Sequence, residues 1–328
     1  MTTIRLKFGQ TLVGKKSTNT DIVVKNCPDR ASGITLFVYM QNTITRLWQQ
    51  GQYRTSETYA STLNSFRTFR NGKDLHFEDI DSNLLLAYEH HLKSGQLSPN
   101  TISFYMKRLR AIYNRAVEDG LTTDRRPFKH VFTSSEKTAK RAIPLKYIKR
   151  LKELDLGNST VKCFARDLFL FSFYTRGMSF IDIAYLQKTD LKGKVLTYRR
   201  KKTGQLLSIK WEDCMQEIVK RHSPSPDSPY LLPIIKSPAA DARKQYHNVQ
   251  AQINRQLKQI GKQLKLDIPL TMYCARHSWA SIARQEGIPI SVISEGMGHD
   301  SEKTTRIYLA SLETQIIDRA NQKILKLL

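Results

Sequence analysis

The sequence predicts a mainly α-helical protein with a small β-sheet, divided into two domains. Three observations carry that expectation. Apolar residues recur at the helical period through most of 31–121 and again in long stretches after 143. Residues 122–142, between them, have no hydrophobic period. Two short β-rich runs, Val195-Leu196-Thr197-Tyr198 and Leu206-Leu207-Ser208-Ile209, flank Lys201-Lys202-Thr203-Gly204 and read as a hairpin. At 328 residues the chain has room for two cores, and 40% hydrophobic content argues for folded structure.

Residues 1–30 read as a polar N-terminal extension, with Ile4-Leu6-Phe8 and Asp21-Ile22-Val23-Val24 as short strand candidates. Leu36, Met40, Ile44 and Trp48 mark one face of a first helix. Ser56-Glu57-Thr58-Tyr59 opens a second, with Leu63, Phe66 and Phe69 on one side and Arg67 and Arg70 near them; Asn71-Gly72 ends it. Asp81-Ser82 caps a third, running from Asn83 to Leu92. Ser98-Pro99-Asn100-Thr101 starts a fourth, because proline suits a first helical turn. Its inner face is Ile102, Tyr105, Leu109, Ile112 and Tyr113; Lys107, Arg108, Arg110 and Arg115 lie outside. Together 31–121 make a four-helix domain. The stretch 122–142 is a linker, basic from Arg125 onward, where Glu136 is the lone acid. The second domain, 143–328, holds an apolar helix at Val161–Tyr174, the hairpin, and helices at Tyr246–Lys265 and Arg276–Glu286.

The formal charge is +24, from 53 Lys and Arg against 29 Asp and Glu. Such an excess repels itself unless a polyanion neutralises it, and duplex nucleic acid is the densest one available. Charge alone does not separate a DNA enzyme from another basic protein. Cys27, Cys163, Cys214 and Cys274 are scattered without a Cys-x-x-Cys pair, which signals neither a zinc site nor a disulfide framework; reduced core thiols are expected. No apolar run nears the roughly 20 residues of a membrane span, and no apolar signal region opens the chain.

The last fifty residues carry the chemistry. Thr271-Met272-Tyr273-Cys274-Ala275-Arg276-His277, Gly296-Met297-Gly298-His299-Asp300 and Thr305-Arg306-Ile307-Tyr308 space an arginine, a histidine and a tyrosine by 23 and 9 residues. A phenol oxygen can attack phosphorus while cationic donors hold the charge that develops on the non-bridging oxygens. This order and spacing resemble the catalytic domain of the tyrosine recombinases, the phage integrase family, most nearly the integrases and invertases of mobile elements. The likeness extends over about 30–328, so 31–121 resembles the helical, SAM-like core-binding domain and 143–328 the catalytic domain.

The resemblance implies roles. Tyr308 is the nucleophile. Arg276 clamps the phosphate, for which a planar, always-charged fork is suited. His299 hydrogen-bonds the scissile phosphate after a glycine pair that permits a tight turn. Lys202 on the hairpin is the general acid, with the register open by one residue among Arg199, Arg200 and Lys201. His277 supports the site. The chain departs from the family twice. Tyr273 stands where a histidine is usual, and Ser179, in Gly177-Met178-Ser179-Phe180-Ile181-Asp182, stands where the first family arginine is usual. Arg176 is the expected replacement, with Arg199 or Arg200 as alternatives, and Asp182 matches the acidic position that orients the arginine. Arg67, Arg70, Lys107, Arg108, Arg110, Arg199, Arg200 and Lys201 are the expected DNA contacts. Ile316, Ile317, Ala320, Ile324, Leu325 and Leu328 form an apolar helical face at the end of the chain. By resemblance it docks on a neighbouring subunit.

The expected function is site-specific DNA recombination through a 3′-phosphotyrosine link: integration, excision or inversion. The alternatives are a type IB-like topoisomerase and a DNA-binding relative without catalysis. The family implies double-stranded DNA as partner, a tetramer on it with the C-terminal helix exchanged in trans, and no cofactor, metal or membrane. It also implies a place in the cytoplasm of a bacterial cell.

Overall fold

The structure, a computed structural model, describes residues 33–136, 141–236, 241–309, 321–322 and 325, the side chains of Ile307 and Tyr308 excepted. The strand candidates in 1–30 and most of the C-terminal apolar face lie outside the described residues. The chain divides into two compact units, Met1–Thr138 and Ala139–Leu328, so the division falls inside the expected linker.

The first unit is a four-helix domain. Helix α1 (Leu36–Gln49) buries Leu36, Met40, Ile44 and Leu47, while Trp48 is half-buried and meets the Tyr53 ring edge-on at 4.7 Å. Helix α2 (Tyr53–Phe69) starts three residues before the expected Ser56. Ser56 is fully buried and donates to the Ile44 carbonyl at 2.9 Å, so it fastens α2 to α1 instead of opening a helix. Asp81 does cap α3 (Ser82–Ser94), its Oδ1 accepting from Leu84 N at 2.7 Å, and Ser98 caps α4 (Pro99–Glu118). Inside α4 Met106, Ile112 and Ala116 are fully buried; Tyr105, expected there, is only half-buried. The core closes on Phe66, Phe77, Tyr88 and Tyr113, each worth about 1.5–3 kcal/mol of burial.

The expected bare linker is corrected at its near end. Phe128 and Val131 are buried in this same core. The Tyr113 hydroxyl donates to Thr123 O and accepts from Arg125 N, and Glu89 Oε2 accepts from Phe132 N at 3.1 Å. An irregular strap buries isolated side chains, so no period marks it in the sequence.

In the second unit, α5 (Leu145–Glu153) buries Ile148 and Leu151. Helix α6 (Thr160–Tyr174) is the central element, packed by α5, α8 (Asp213–Arg221), α9 (Ala242–Gln263) and α10 (Met272–Gln285), which accounts for its near-continuous apolar sequence. A short α7 (Phe180–Ala184) leads to an antiparallel sheet of β1 (Leu191–Lys192), β2 (Val195–Arg199) and β3 (Leu206–Lys210), with Arg199 opposite Leu206 at the hairpin end. Leu196, Tyr198 and Ile209 turn inward. Helices α11 (Ile290–Gly296) and α12 (Glu302–Leu309) pack with α10 around Ala280, Ile293, Met297 and Leu309.

An ion cluster unread in the sequence fastens α6 to α8. Asp167 is buried and accepts from Arg166 Nε at 2.9 Å and Arg221 Nη1 at 2.6 Å, with His222 Nε2 at 2.8 Å. Of the thiols, Cys274 is buried while Cys163 and Cys214 are half-buried; all three are unpaired. Among the described residues no helix is long and apolar enough to cross a membrane.

Candidate active site

Four segments of the second unit converge: the end of α6, the hairpin, the first turns of α10, and the turn between α11 and α12. Arg276 sits at their meeting point. Helix α10 begins at Met272, four residues before the expected start, because the Thr271 hydroxyl lies beside Cys274 in the first turn. Arg276 therefore lies within the helix, 5% exposed. Its Nη1 donates to Gly177 O at 2.8 Å, and its Nη2 donates to Met297 O at 2.7 Å and meets His299 Nε2 at 2.9 Å. A buried guanidinium is costly unless its donors are matched, and these carbonyls match them while holding the fork in one orientation. Gly177 has φ +75°, and a Cβ there would stand 2.8 Å from Arg276 Cα. Only glycine lets the α6 end approach α10 this closely.

His299 follows Gly298, whose φ is +64° and whose missing Cβ leaves room for Leu207 of β3, 2.8 Å from where it would be, and for Arg200. The hairpin thus rests directly on the turn that carries the histidine. His299 Nδ1 lies 2.7 Å from the hydroxyl of Thr305, which is fully buried on α12. Burial above all, then the charges of Arg276, Arg200 and Lys202, push the His299 imidazole down to about 4. In this site it is neutral at pH 7.

The hairpin differs from expectation residue by residue. Arg200 is 6% exposed and donates from Nη1 to Gly298 O; its Nε is buried without a partner. It thus faces the turn that carries His299 from inside the fold. Lys202 is exposed on the turn, near enough for its charge to act on His299. Arg199 is spent on its own turn, donating to Gly204 O at 2.6 Å, and the Lys201 ammonium lies 4.8 Å over the Tyr185 ring. Arg176, in the left-handed region at φ +58°, reaches along β3 to Ser208 O at 3.4 Å.

Asp182 is corrected. It is 4% exposed and orients no arginine in the hydrogen bonds described: its Oδ2 accepts from Ser179 Oγ at 2.5 Å and its Oδ1 from Lys201 N at 2.8 Å. With serine in the arginine place, the carboxylate has turned to the hairpin backbone. Tyr273 is 49% exposed, its ring edge-on to His277 at 4.4 Å. Tyr308 lies on α12 one turn after Thr305; its side chain is outside the described set. Thr305 was missed, since a lone threonine six residues past a histidine carries no sequence signal.

In the first unit the Arg67 guanidinium lies 5.3 Å over Phe37, and Arg108 lies over both Tyr59 and Phe104, stacking that presents flat cations at the surface. Two of the expected contacts bond the strap at the surface: Lys107 to Ser134 O and Ser135 Oγ, and Arg110 to Thr133 Oγ1. Arg70 is half-buried, its Nε without a partner.

Residues 35–133 match the family model described as a phage integrase SAM-like domain, and residues 168–315 match the model of the phage integrase family. A tyrosine recombinase XerD of Halalkalibacterium halodurans is 34% identical over 64 residues, 20% of this chain and 21% of that protein. The match thus spans about a fifth of the relative. Among solved structures, a lambda integrase dimer bound to a core site aligns with a TM-score of 0.62 at 15% identity, covering 84% of this chain and 77% of that one. The Tn1549 transposon integrase in complex with transposon right-end DNA aligns at 0.61 and 15%, covering 85% and 99%. The XerH recombinase bound to its difH substrate aligns at 0.56 and 17%, covering 84% and 83%. At these identities the likeness is one of fold.

Proposed function

The chain belongs to the phage integrase family, and on that premise we propose that it is a site-specific DNA recombinase of the tyrosine class. The Tyr308 oxygen attacks a backbone phosphorus. The bond to the 5′ oxygen breaks as the new bond forms, leaving a 3′-phosphotyrosine link. Lys202 gives a proton to the departing 5′ oxygen, and the phenolic proton leaves to a base. Attack by a 5′ hydroxyl from a partner strand then reverses the sequence, so one diester is exchanged for another and no energy source is consumed.

The observation that carries this reading is the convergence of Arg276, Arg200 and His299 around the Gly298 turn. Two preoriented guanidinium groups suit the equatorial oxygens of a pentavalent phosphorus, with the neutral imidazole holding one of them through Nε2, and preorganised donors of this kind supply most of such rate enhancements. Arg200 replaces the arginine that Ser179 lacks, a better candidate than Arg176 because Arg176 is drawn along β3. Tyr273, exposed at the start of α10, donates a hydrogen bond to the bound phosphate. The stacked arginines of the first unit and the 122–142 segment grip double-stranded DNA. The active assembly is a tetramer on DNA coupled through the C-terminal helix in trans, and it works in the cytoplasm of a bacterial cell.

The test is a nicked-site substrate, whose cleavage traps the covalent intermediate on a denaturing gel. Wild type is expected to form the adduct. Tyr308→Phe is expected to bind the same DNA with comparable affinity and form none, since only the attacking oxygen is gone. An adduct persisting in the variant would overturn the assignment of the nucleophile.

A further inference from the structure

The geometry points to Thr305 as a positioning residue of this site: its hydroxyl accepts the Nδ1 proton of His299 and so ties the helix bearing Tyr308 to that histidine. The inference rests on the proposed recombinase reading for its catalytic half. Its structural half stands on the protein alone.

A guanidinium has only donors to offer. Arg276 Nη2, 2.9 Å from His299 Nε2, must therefore be giving a hydrogen bond, and Nε2 must accept. A neutral imidazole has one donor nitrogen and one acceptor nitrogen, so the proton is on Nδ1. Nδ1 faces the Thr305 hydroxyl at 2.7 Å, and that oxygen accepts. The ring stays neutral in the free site because it is buried and faced by Arg276 from α10 and by Arg200 and Lys202 from the hairpin.

Thr305 also fixes an element. Helix α12 is short, and among its described side chains Thr305 and Leu309 are the fully buried ones; Leu309 is apolar packing, while Thr305 is the polar link. Tyr308 is one turn further along the same helix, so the bond that orients the imidazole also holds the segment carrying the nucleophile. Without the hydroxyl, Nδ1–H would lose its acceptor while the Arg276 donor still keeps Nε2 unprotonated, so the ring would no longer be fastened to α12.

The experiment uses the full chain labelled with 15N-histidine, read by long-range 1H–15N spectra at pH 7, with the His299 signals identified by their loss in His299→Gln. Wild type is expected to give the Nδ1-protonated pattern. Thr305→Val, close in shape but without the hydroxyl, is expected to keep that tautomer but move the Nδ1 signal, as the loss of its hydrogen bond requires; Thr305→Ser is expected to keep the wild-type signal. In the nicked-site assay Thr305→Val should form adduct about tenfold more slowly at unchanged DNA affinity, the scale of one lost hydrogen bond. Thr305→Ser should stay near wild type. Circular dichroism showing a folded Thr305→Val excludes collapse as the cause, and the serine variant decides the question if valine unfolds the chain. A wild-type Nδ1 signal and adduct rate in folded Thr305→Val would overturn the inference, as would a displaced Nδ1 signal in Thr305→Ser. Absence of adduct in wild type itself would overturn the recombinase reading, while the spectra still decide the hydrogen bond.

Discussion

Arg200 shows how a single residue changes meaning between sequence and structure. In the sequence it is one of four adjacent basic residues, Arg199 to Lys202, that chemistry cannot rank. In the fold the neighbours separate: Arg199 closes its own turn, Lys201 lies over Tyr185, Lys202 stays exposed, and Arg200 is drawn under the Gly298 carbonyl. Only burial made that distinction, and burial depends on the register of the hairpin. If Arg200 stabilises charge that develops during cleavage, Arg200→Ala should slow adduct formation roughly a hundredfold while weakening DNA binding only a few-fold. Arg176→Ala should cost much less. Single-turnover cleavage at saturating protein, beside gel-shift affinities, separates them; the reverse ranking returns Arg176 to the role.

At the level of the element, the Asp167 cluster carries the clearest energetic prediction. Burial pushes the carboxyl of Asp167 up, and hydrogen bonds from His222, Arg166 and Arg221 more than offset this, holding it below its ordinary value of 3.8. A depressed carboxylate stabilises the fold above its unfolded value, and that contribution fades as pH falls through the folded one. Asp167→Asn should therefore cost about 2 kcal/mol at neutral pH, discounted because Arg221 is half in solvent. The gap from wild type should close as pH drops below 3.8. Urea unfolding followed at several pH values checks both, and a gap independent of pH would remove the charge from the explanation. The elements were legible where local chemistry decides: Asp81 and Ser98 cap where they were expected to, and β-rich runs around a turn marked β2 and β3. They were illegible where distant contacts decide. Ser56 bonds a neighbouring helix, the strap buries Phe128 and Val131 without a period, and α7, α8, α11 and α12 are too short for periodicity to mark. In the site, Arg276 and His299 were readable from spacing. Thr305 and the turned Asp182 were not, since each is defined by a partner that the fold brings to it.

For the molecule as a whole, the excess of 24 positive charges is the governing quantity. Each phosphate neutralised releases condensed counterions, so affinity for duplex DNA should fall linearly with salt on logarithmic axes. With the stacked arginines of the first unit and the hairpin cations of the second both engaged, the slope should be on the order of −5 or steeper. Fluorescence anisotropy of a labelled duplex between low and physiological salt measures it. A flat response would contradict a protein that contacts DNA through many phosphates.

The pairing of Ser179 with Asp182 bears on how such a site can change over time. The carboxylate holds the backbone of the loop carrying Lys202 and Arg200 through Oδ1, while its Oδ2 is taken by the Ser179 hydroxyl. Any residue lacking a hydroxyl at 179 would leave that buried Oδ2 in need of a new donor, whereas the hold on the hairpin through Oδ1 stays. A change at position 179 is thereby linked, through one carboxylate, to the loop that places Arg200 under the Gly298 carbonyl.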